Sequence, residues 1–222
     1  MAARQKNDKA LRDLKKEIEQ GYIYYHSGSP SDIAKHLSNF RNVLEHTGKG
    51  IRVHGLDFPT IEHAFQGFKF LHLEGGAQRE DLFRLFAVDG LIGRKDAGAA
   101  KTAGGKGGRS LFTKHNLELD GKKWDEHCQA IMEKLVRARS RVDATFRQIL
   151  RKAAHDQVML LHFERNRSDD ISKHKWGGSF PGGVKRKDRR PADFRGLNLM
   201  GKMLMAEGER LESHAARKRK RH

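Results

Sequence analysis

The sequence is short of cysteine: Cys128 is the single thiol in 222 residues, which excludes an intrachain disulfide and fits a reducing compartment. It has no paired cysteines and no HExxH spacing, and its 13 histidines are scattered, so no metal and no other cofactor is expected. It also has no apolar run long enough to cross a bilayer and no basic-then-apolar leader pattern. A membrane partner is thereby excluded, and the expectation is a soluble intracellular protein, cytoplasmic or nuclear. Negative charge is scarce relative to positive, with 28 Asp and Glu against 45 Lys and Arg, a net charge of +17.

Five cations sit in the terminal Arg217-Lys218-Arg219-Lys220-Arg221, leaving a surplus of about +12 on the rest of the chain. That is more than solubility requires, and it points to a polyanionic partner, nucleic acid or a phosphorylated ligand.

The stretch around which the chain is organised is Pro59 to Phe70. At helical spacing it places Glu62, Gln66 and Lys69 on one strip, with Ile61, Ala64, Phe68 and Leu71 opposite and Phe65 and Phe70 flanking the strip. A helix apolar almost all round is a buried helix, and a buried Glu and Lys require partners or a purpose. One reading is an internal ion pair. The other is that desolvation raises the carboxyl pKa and lowers the ammonium pKa, which poises both groups for proton transfer near neutral pH. Gly67 costs about 1 kcal/mol relative to Ala inside a helix, which implies a backbone or ligand in close approach.

The remainder reads as one domain of ordinary size with short strands between helices. Lys6 to Gln20 is a charged helical arm, Tyr22 to Tyr25 a strand, and Ile51 to Gly55 a strand followed by Leu56-Asp57-Phe58. Leu37-Ser38-Asn39-Phe40 reads as a capped turn or a ligand-facing element. Gly75-Gly76 ends the central helix, and Arg79 to Val88 forms another. From Gly90 to Gly108 the chain is glycine-rich and basic: either a flexible loop or a phosphate-handling one, although its spacing fits neither the Walker nor the dinucleotide pattern. Helical spacing of Trp124, Cys128, Ile131, Leu135 and Val142 gives a long helix from about Lys123 to Arg139 with a further stretch to about Ala153. Arg137, Arg139, Arg141, Arg147 and Arg151 give the later part a solvated basic face or a nucleic-acid track. Val158 to Phe163 is a strand, Ser179 to Arg190 a basic loop, and Gly196 to about Leu211 a final apolar helix. From Ser213 to His222 a disordered basic tail is expected.

Four stretches in this order resemble the NADAR (YbiA-like) family of N-glycosidases: Leu37-Ser38-Asn39-Phe40, Glu62 to Phe70, Trp176-Gly177, and Gly196-Leu197-Asn198-Leu199-Met200-Gly201. The resemblance runs from about Tyr22 to Leu211, with the Glu-His-x-x-Gln-x-x-Lys-Phe pattern its most specific part. It implies a mainly α fold with a few short strands, an α+β class, as a single compact domain over residues 21–212 between the arm at 1–20 and the tail at 213–222. It also implies cleavage of an N-glycosidic bond between ribose C1′ and an amine. Trp124, followed by Asp125, stands where the family tends to have a Trp. About three positions before the Trp of Trp-Gly, where the family often has an acid, this chain has His174, with Asp169 and Asp170 further upstream.

Family substrates include ribosylamino-pyrimidine intermediates of riboflavin synthesis and ADP-ribose attached to guanine in nucleic acid. The +17 charge favours the second. In either case Lys69 is the expected nucleophile, attacking a ring-opened imine to form a Schiff base, with Glu62 moving protons. Direct hydrolysis, with Glu62 activating water and Lys69 orienting phosphate or ribose, is the alternative within the same site. The implied substrate-binding set is Ser38, Asn39, Phe40, Gln66, Trp124, Asp125, Trp176, Gly177 and Asn198. Of these, Asn39, Gln66 and Asn198 would hydrogen-bond ribose or base, and Phe40, Trp124 or Trp176 would stack, core packing being the other reading of each Trp. Gly177 and Gly201 read as points of tight backbone approach. A rival from another class is a non-catalytic module that binds ADP-ribose or coats nucleic acid.

Overall fold

The computed structural model describes residues 14, 18–29, 31–73, 78–164, 175–181 and 188–219. His174, Asp169, Asp170, Gly75-Gly76, most of the N-terminal arm, the middle of the Ser179 to Arg190 loop and the last three residues lie outside these. The structure divides into two compact units, Met1–Ser38 with Ala144–His222, and Asn39–Asp143. Helices dominate and the strands are few and short, which is the α+β class. Among the described residues no helix is long and apolar enough to cross a membrane.

Asn39–Asp143 is built on a hairpin and a buried helix. Strands β2 (Ile51–Val53) and β3 (Leu56–Phe58) pair antiparallel, Ile51 opposite Phe58. The expected strand therefore turns back on itself, because His54 (φ 49°) and Gly55 (φ 77°) both adopt the left-handed conformation that a tight two-residue turn requires. The chain then enters α3 (Ile61–Phe68), preceded in the unit by the short α2 (Val43–Thr47). Thr60 caps α3, its hydroxyl accepting from the His63 N–H at 3.0 Å, a contact worth about 1 kcal/mol. All eight residues of α3 are buried, after which Lys69–His72 tightens into a 3₁₀ turn.

Phenylalanines pack around that helix: Phe68 on Phe83 at 5.0 Å, Phe58 on Phe83 at 5.2 Å, and Phe70 stacked on Phe112 at 4.5 Å. A Cβ on Gly67 would sit 3.2 Å from Phe83 and Phe86, so the close approach there is aromatic, from α4 (Arg79–Arg84) and the residues just after it. The basic, glycine-rich stretch is not wholly loop. It forms α5 (Ala97–Ala103), capped by the Asp96 carboxylate on the Ala99 N–H at 2.7 Å, and is followed by α6 (Leu111–Lys114).

Helix α7 (Gly121–Val142) completes the unit. Its basic run is not one solvated face. Arg139 is fully buried and binds the equally buried Asp143 carboxylate through Nε at 3.2 Å and Nη2 at 3.1 Å, while the Asp143 N–H caps the helix on the Arg139 carbonyl. Burial pulls the Arg139 guanidinium pKa down and Asp143 holds it up. The pair is internal structure, and Arg139 is removed from any track.

In the other unit β1 (Tyr22–Tyr25) pairs parallel with β4 (Met159–His162), Tyr22 opposite Met159. Against the pair lie α1 (Asp32–Leu37) and α9 (Leu199–Arg219), and α8 (Ala144–His155) packs on both of these helices. A Cβ on Gly208 would fall 2.4 Å from the Leu150 carbonyl oxygen, so glycine is what lets α8 and α9 meet at their backbones. Helix α9 continues past Ser213 to Arg219, further than its apolar pattern extends.

Asp143→Ala leaves Arg139 charged and buried without its carboxylate. Urea denaturation is expected to show a loss of about 3–5 kcal/mol, largely recovered in the Arg139→Met, Asp143→Leu double variant.

Candidate active site

The polar strip of α3 is a connected chain. The Gln66 amide donates through Nε2 to Glu62 Oε1 at 2.8 Å, and its Oε1 accepts from Lys69 Nζ at 2.7 Å. Lys69 also donates to the Gly104 carbonyl at 2.9 Å. Helical spacing aligns Glu62 and Gln66, and the tighter 3₁₀ turn carries Lys69 back over Gln66. Glu62 and Gln66 are buried and Lys69 is partly so.

Burial acts in opposite senses on the two ends. It pushes the Glu62 carboxyl up, against the hydrogen bond from Gln66 and the nearby Lys101 and Lys69 charges. It draws the Lys69 ammonium down to about 8, the Glu62 charge opposing and Lys106 and Lys101 reinforcing the shift. A carboxyl held up and an amine held down are shifted toward one another, the direction that suits proton exchange between paired groups.

Rings wall this chain in. Trp124, at the start of α7, packs on Phe65 at 5.0 Å and lies 5.8 Å from Lys69 Nζ. Phe40 lies 5.8 Å beneath Lys101 Nζ. Asn39 is tied to the same helix by its backbone, its carbonyl accepting from the Glu62 N–H at 3.1 Å. Asp125 is exposed next to Trp124, and its carbonyl accepts from the Cys128 thiol. The Asn39–Asp143 unit thus gathers Asn39, Phe40, Glu62, Gln66, Lys69 and Trp124.

Three contributors were not singled out by sequence reasoning. Gly104 supplies a carbonyl to Lys69, and a Cβ there would lie 2.5 Å from Gln66 Oε1, so only glycine leaves that amide in place. Lys101 and Lys106 add positive charge beside Lys69. The signal for all three was the glycine-and-lysine composition of Gly90 to Gly108.

Ser38, Trp176, Gly177 and Asn198 belong to the other unit. Ser38 caps α1, its N–H on the Lys35 carbonyl at 3.3 Å. The Asn198 amide is engaged at both ends with β4, accepting from the His162 N–H at 3.1 Å and donating to the Leu160 carbonyl at 2.9 Å. A ligand at Asn198 would compete with both bonds. The Trp176 carbonyl accepts from the Met200 N–H at 2.9 Å. Gly177 and Gly201 stand at tight backbone contacts, a Cβ falling 2.4 Å from the His162 oxygen and 2.0 Å from the Leu160 oxygen respectively. Glu164, which its sequence context did not mark, places a carboxylate oxygen on the Gly177 N–H at 2.9 Å.

The folded protein releases the Lys69 proton at about 8, whereas the ordinary lysine value is 10.5. Folding therefore binds fewer protons between these values, and stability rises with pH across that window. Lys69→Met is expected to be more stable than wild type at pH 7, by about 1 kcal/mol after allowance for partial exposure. The advantage should close as pH passes that of free lysine, as read from urea denaturation at pH 7 and above pH 10.

No protein-family model matches the chain, and no curated protein does. Among solved structures it is similar to the NMR structure of the E. coli protein YbiA, at 23% identity and a TM-score of 0.51 over 90% of this chain and 92% of that one. The likeness is distant in sequence and spans nearly all of both chains, and it shows that this protein has a YbiA-like α+β fold.

Proposed function

We propose that this protein is an N-glycosidase that cleaves the bond between ribose C1′ and an exocyclic amine, removing ADP-ribose from guanine in nucleic acid. The observation that carries the reading is the one-way chain from Lys69 through Gln66 to Glu62, with the amine's pKa drawn down to about 8 and the carboxyl's raised. Ring opening of the aminal breaks C1′–O4′, protonates O4′ and leaves C1′ as an imine to the base. Neutral Lys69 adds its Nζ to C1′. Glu62 in its acid form gives a proton to the departing amine, the C1′–N bond to the base breaks, and C1′ is held by Lys69 as a Schiff base. The Glu62 carboxylate then takes a proton from water as it adds to C1′ and returns it to Nζ; the C1′–Nζ bond breaks, the new hydroxyl gives up its proton to become the C1′ carbonyl, and the sugar leaves Lys69 as a neutral amine. Gln66 passes polarity between the two groups, Trp124 and Phe40 offer faces to the base or adenine, and Lys101 and Lys106 match the diphosphate.

Direct hydrolysis is the second reading, and one contact favours it. Lys69 donates to two acceptors, Gln66 Oε1 and the Gly104 carbonyl, which hold its Nζ in place as an orienting group. Glu62 would then activate water, and Lys69 would hold phosphate or ribose.

Incubation with guanine-ADP-ribosylated DNA and, separately, with a ribosylamino-pyrimidine phosphate, read by mass spectrometry, tests the function. Free ADP-ribose and restored guanine are expected, with loss of turnover in Glu62→Ala. Ribose 5-phosphate release alone would assign the activity to a metabolite, and no release from either would assign a binding module. Borohydride during turnover should fix the sugar on Lys69, and kcat should pass through a maximum with pH, because the step needs neutral Lys69 and protonated Glu62 together. Absence of the adduct during turnover would select direct hydrolysis.

A further inference from the structure

A second basic surface lies within Asn39–Asp143, apart from the Lys69 chain. A groove of about 420 Å³ runs between the β2–β3 hairpin and the outer face of α7, lined on the hairpin side by Arg52, Val53, His54 and Gly55 and on the helix side by Glu133, Lys134, Arg137 and Arg141. Every charged residue of this lining is exposed, and Glu133 is the one acid among them. Arg52 already holds Asp57 at 2.8 Å and His54 faces Glu80 at 3.5 Å, so the hairpin side is anchored by local ion pairs.

We propose that this groove binds the phosphate backbone of a nucleic-acid strand and so supplies the polymer contact for the active site on the same unit. The choice of nucleic acid over an acidic peptide rests on the function proposed above. Lys134, Arg137 and Arg141 follow one another at i, i+3 and i+7 and span about 10 Å of the helix axis, a length over which one strand of a duplex presents about three phosphates. Exposed cations bind a single phosphate weakly in water, whereas a row of them on a polyanion gains by releasing its condensed counterions. Three of the four cations are arginines, whose planar forks match phosphate oxygens two at a time. The groove lies further along the helix that carries Trp124: Ala130, its first helical residue, follows Trp124 by about 9 Å along the axis. The surface therefore reads backbone and leaves the base to the Lys69 site, as a sequence-independent grip would.

The test is fluorescence anisotropy of a labelled 20-nucleotide DNA, single-stranded and duplex, titrated with the full chain from 50 to 200 mM NaCl. The Lys134→Gln, Arg137→Gln, Arg141→Gln variant is expected to bind at least about tenfold more weakly at the lowest salt, and to lose about 2–3 from the slope of log K against log salt. Lys134→Glu alone should lower both by a smaller step. Unchanged affinity and slope in the triple variant would overturn the proposal, as would displacement of the DNA by polyglutamate at equal charge concentration. Because the readout is binding, a protein inactive on every glycosidic substrate would sink the proposed activity and leave the groove's test standing.

Discussion

The proposed activity depends on one constraint, the desolvation of a lysine and a glutamate on the same helical strip with a single amide between them. In water the two charges would be stable and chemically inert at neutral pH. Inside a wall of phenylalanine and tryptophan, each charged form is penalised. Phe65 and Trp124, packed on one another at 5.0 Å with Trp124 beside Lys69, are the rings next to the strip. The helix supplies spacing, the 3₁₀ turn supplies the return of Lys69 onto Gln66, and Gly104 supplies the second contact by having no side chain to push the amide away.

The same unit holds a second buried charge with an opposite outcome. Arg139 meets Asp143 directly through two nitrogens, and the carboxylate keeps the guanidinium charged. Lys69 has a neutral amide and a carbonyl as its nearest partners, with the carboxylate one residue removed. Direct pairing makes a staple, whereas pairing at one remove leaves the amine free to change state. Two buried cations in one unit thus serve differently because of what lies next to each.

Local periodicity exposed a good deal of this. The apolar surround of Glu62, Gln66 and Lys69 was visible at helical spacing, and so was the strand character of Tyr22 to Tyr25 and Val158 to Phe163. What periodicity could not reveal were contacts made by distant residues. Arg139 belonged to a run of arginines that looks solvated, and spacing did not mark its full burial or its pairing with Asp143. The hairpin turned on His54, a residue with no strong turn preference, whose left-handed backbone is set by its partner strand. Gly104 looked like loop composition, yet its placement against Gln66 decides the geometry of the strip. Gly208 lay inside a helical pattern where its absence of a side chain had no visible purpose until α8 came against it. For Gly104 and Gly208 the meaning of the residue lay in a neighbour many positions away, and spacing carries no information about such neighbours.

The parallel pairing of β1 with β4 has a consequence for how the chain reaches this state. The two strands are joined only after the entire Asn39–Asp143 segment has been laid between them. Their contact is non-local, and the entropy of closing so long a loop is lost before any strand pairing offsets it. The hairpin, α3 and the helices that follow it draw on nearer neighbours. The order of assembly that topology favours is early formation of Asn39–Asp143, with the β1–β4 pair closing last.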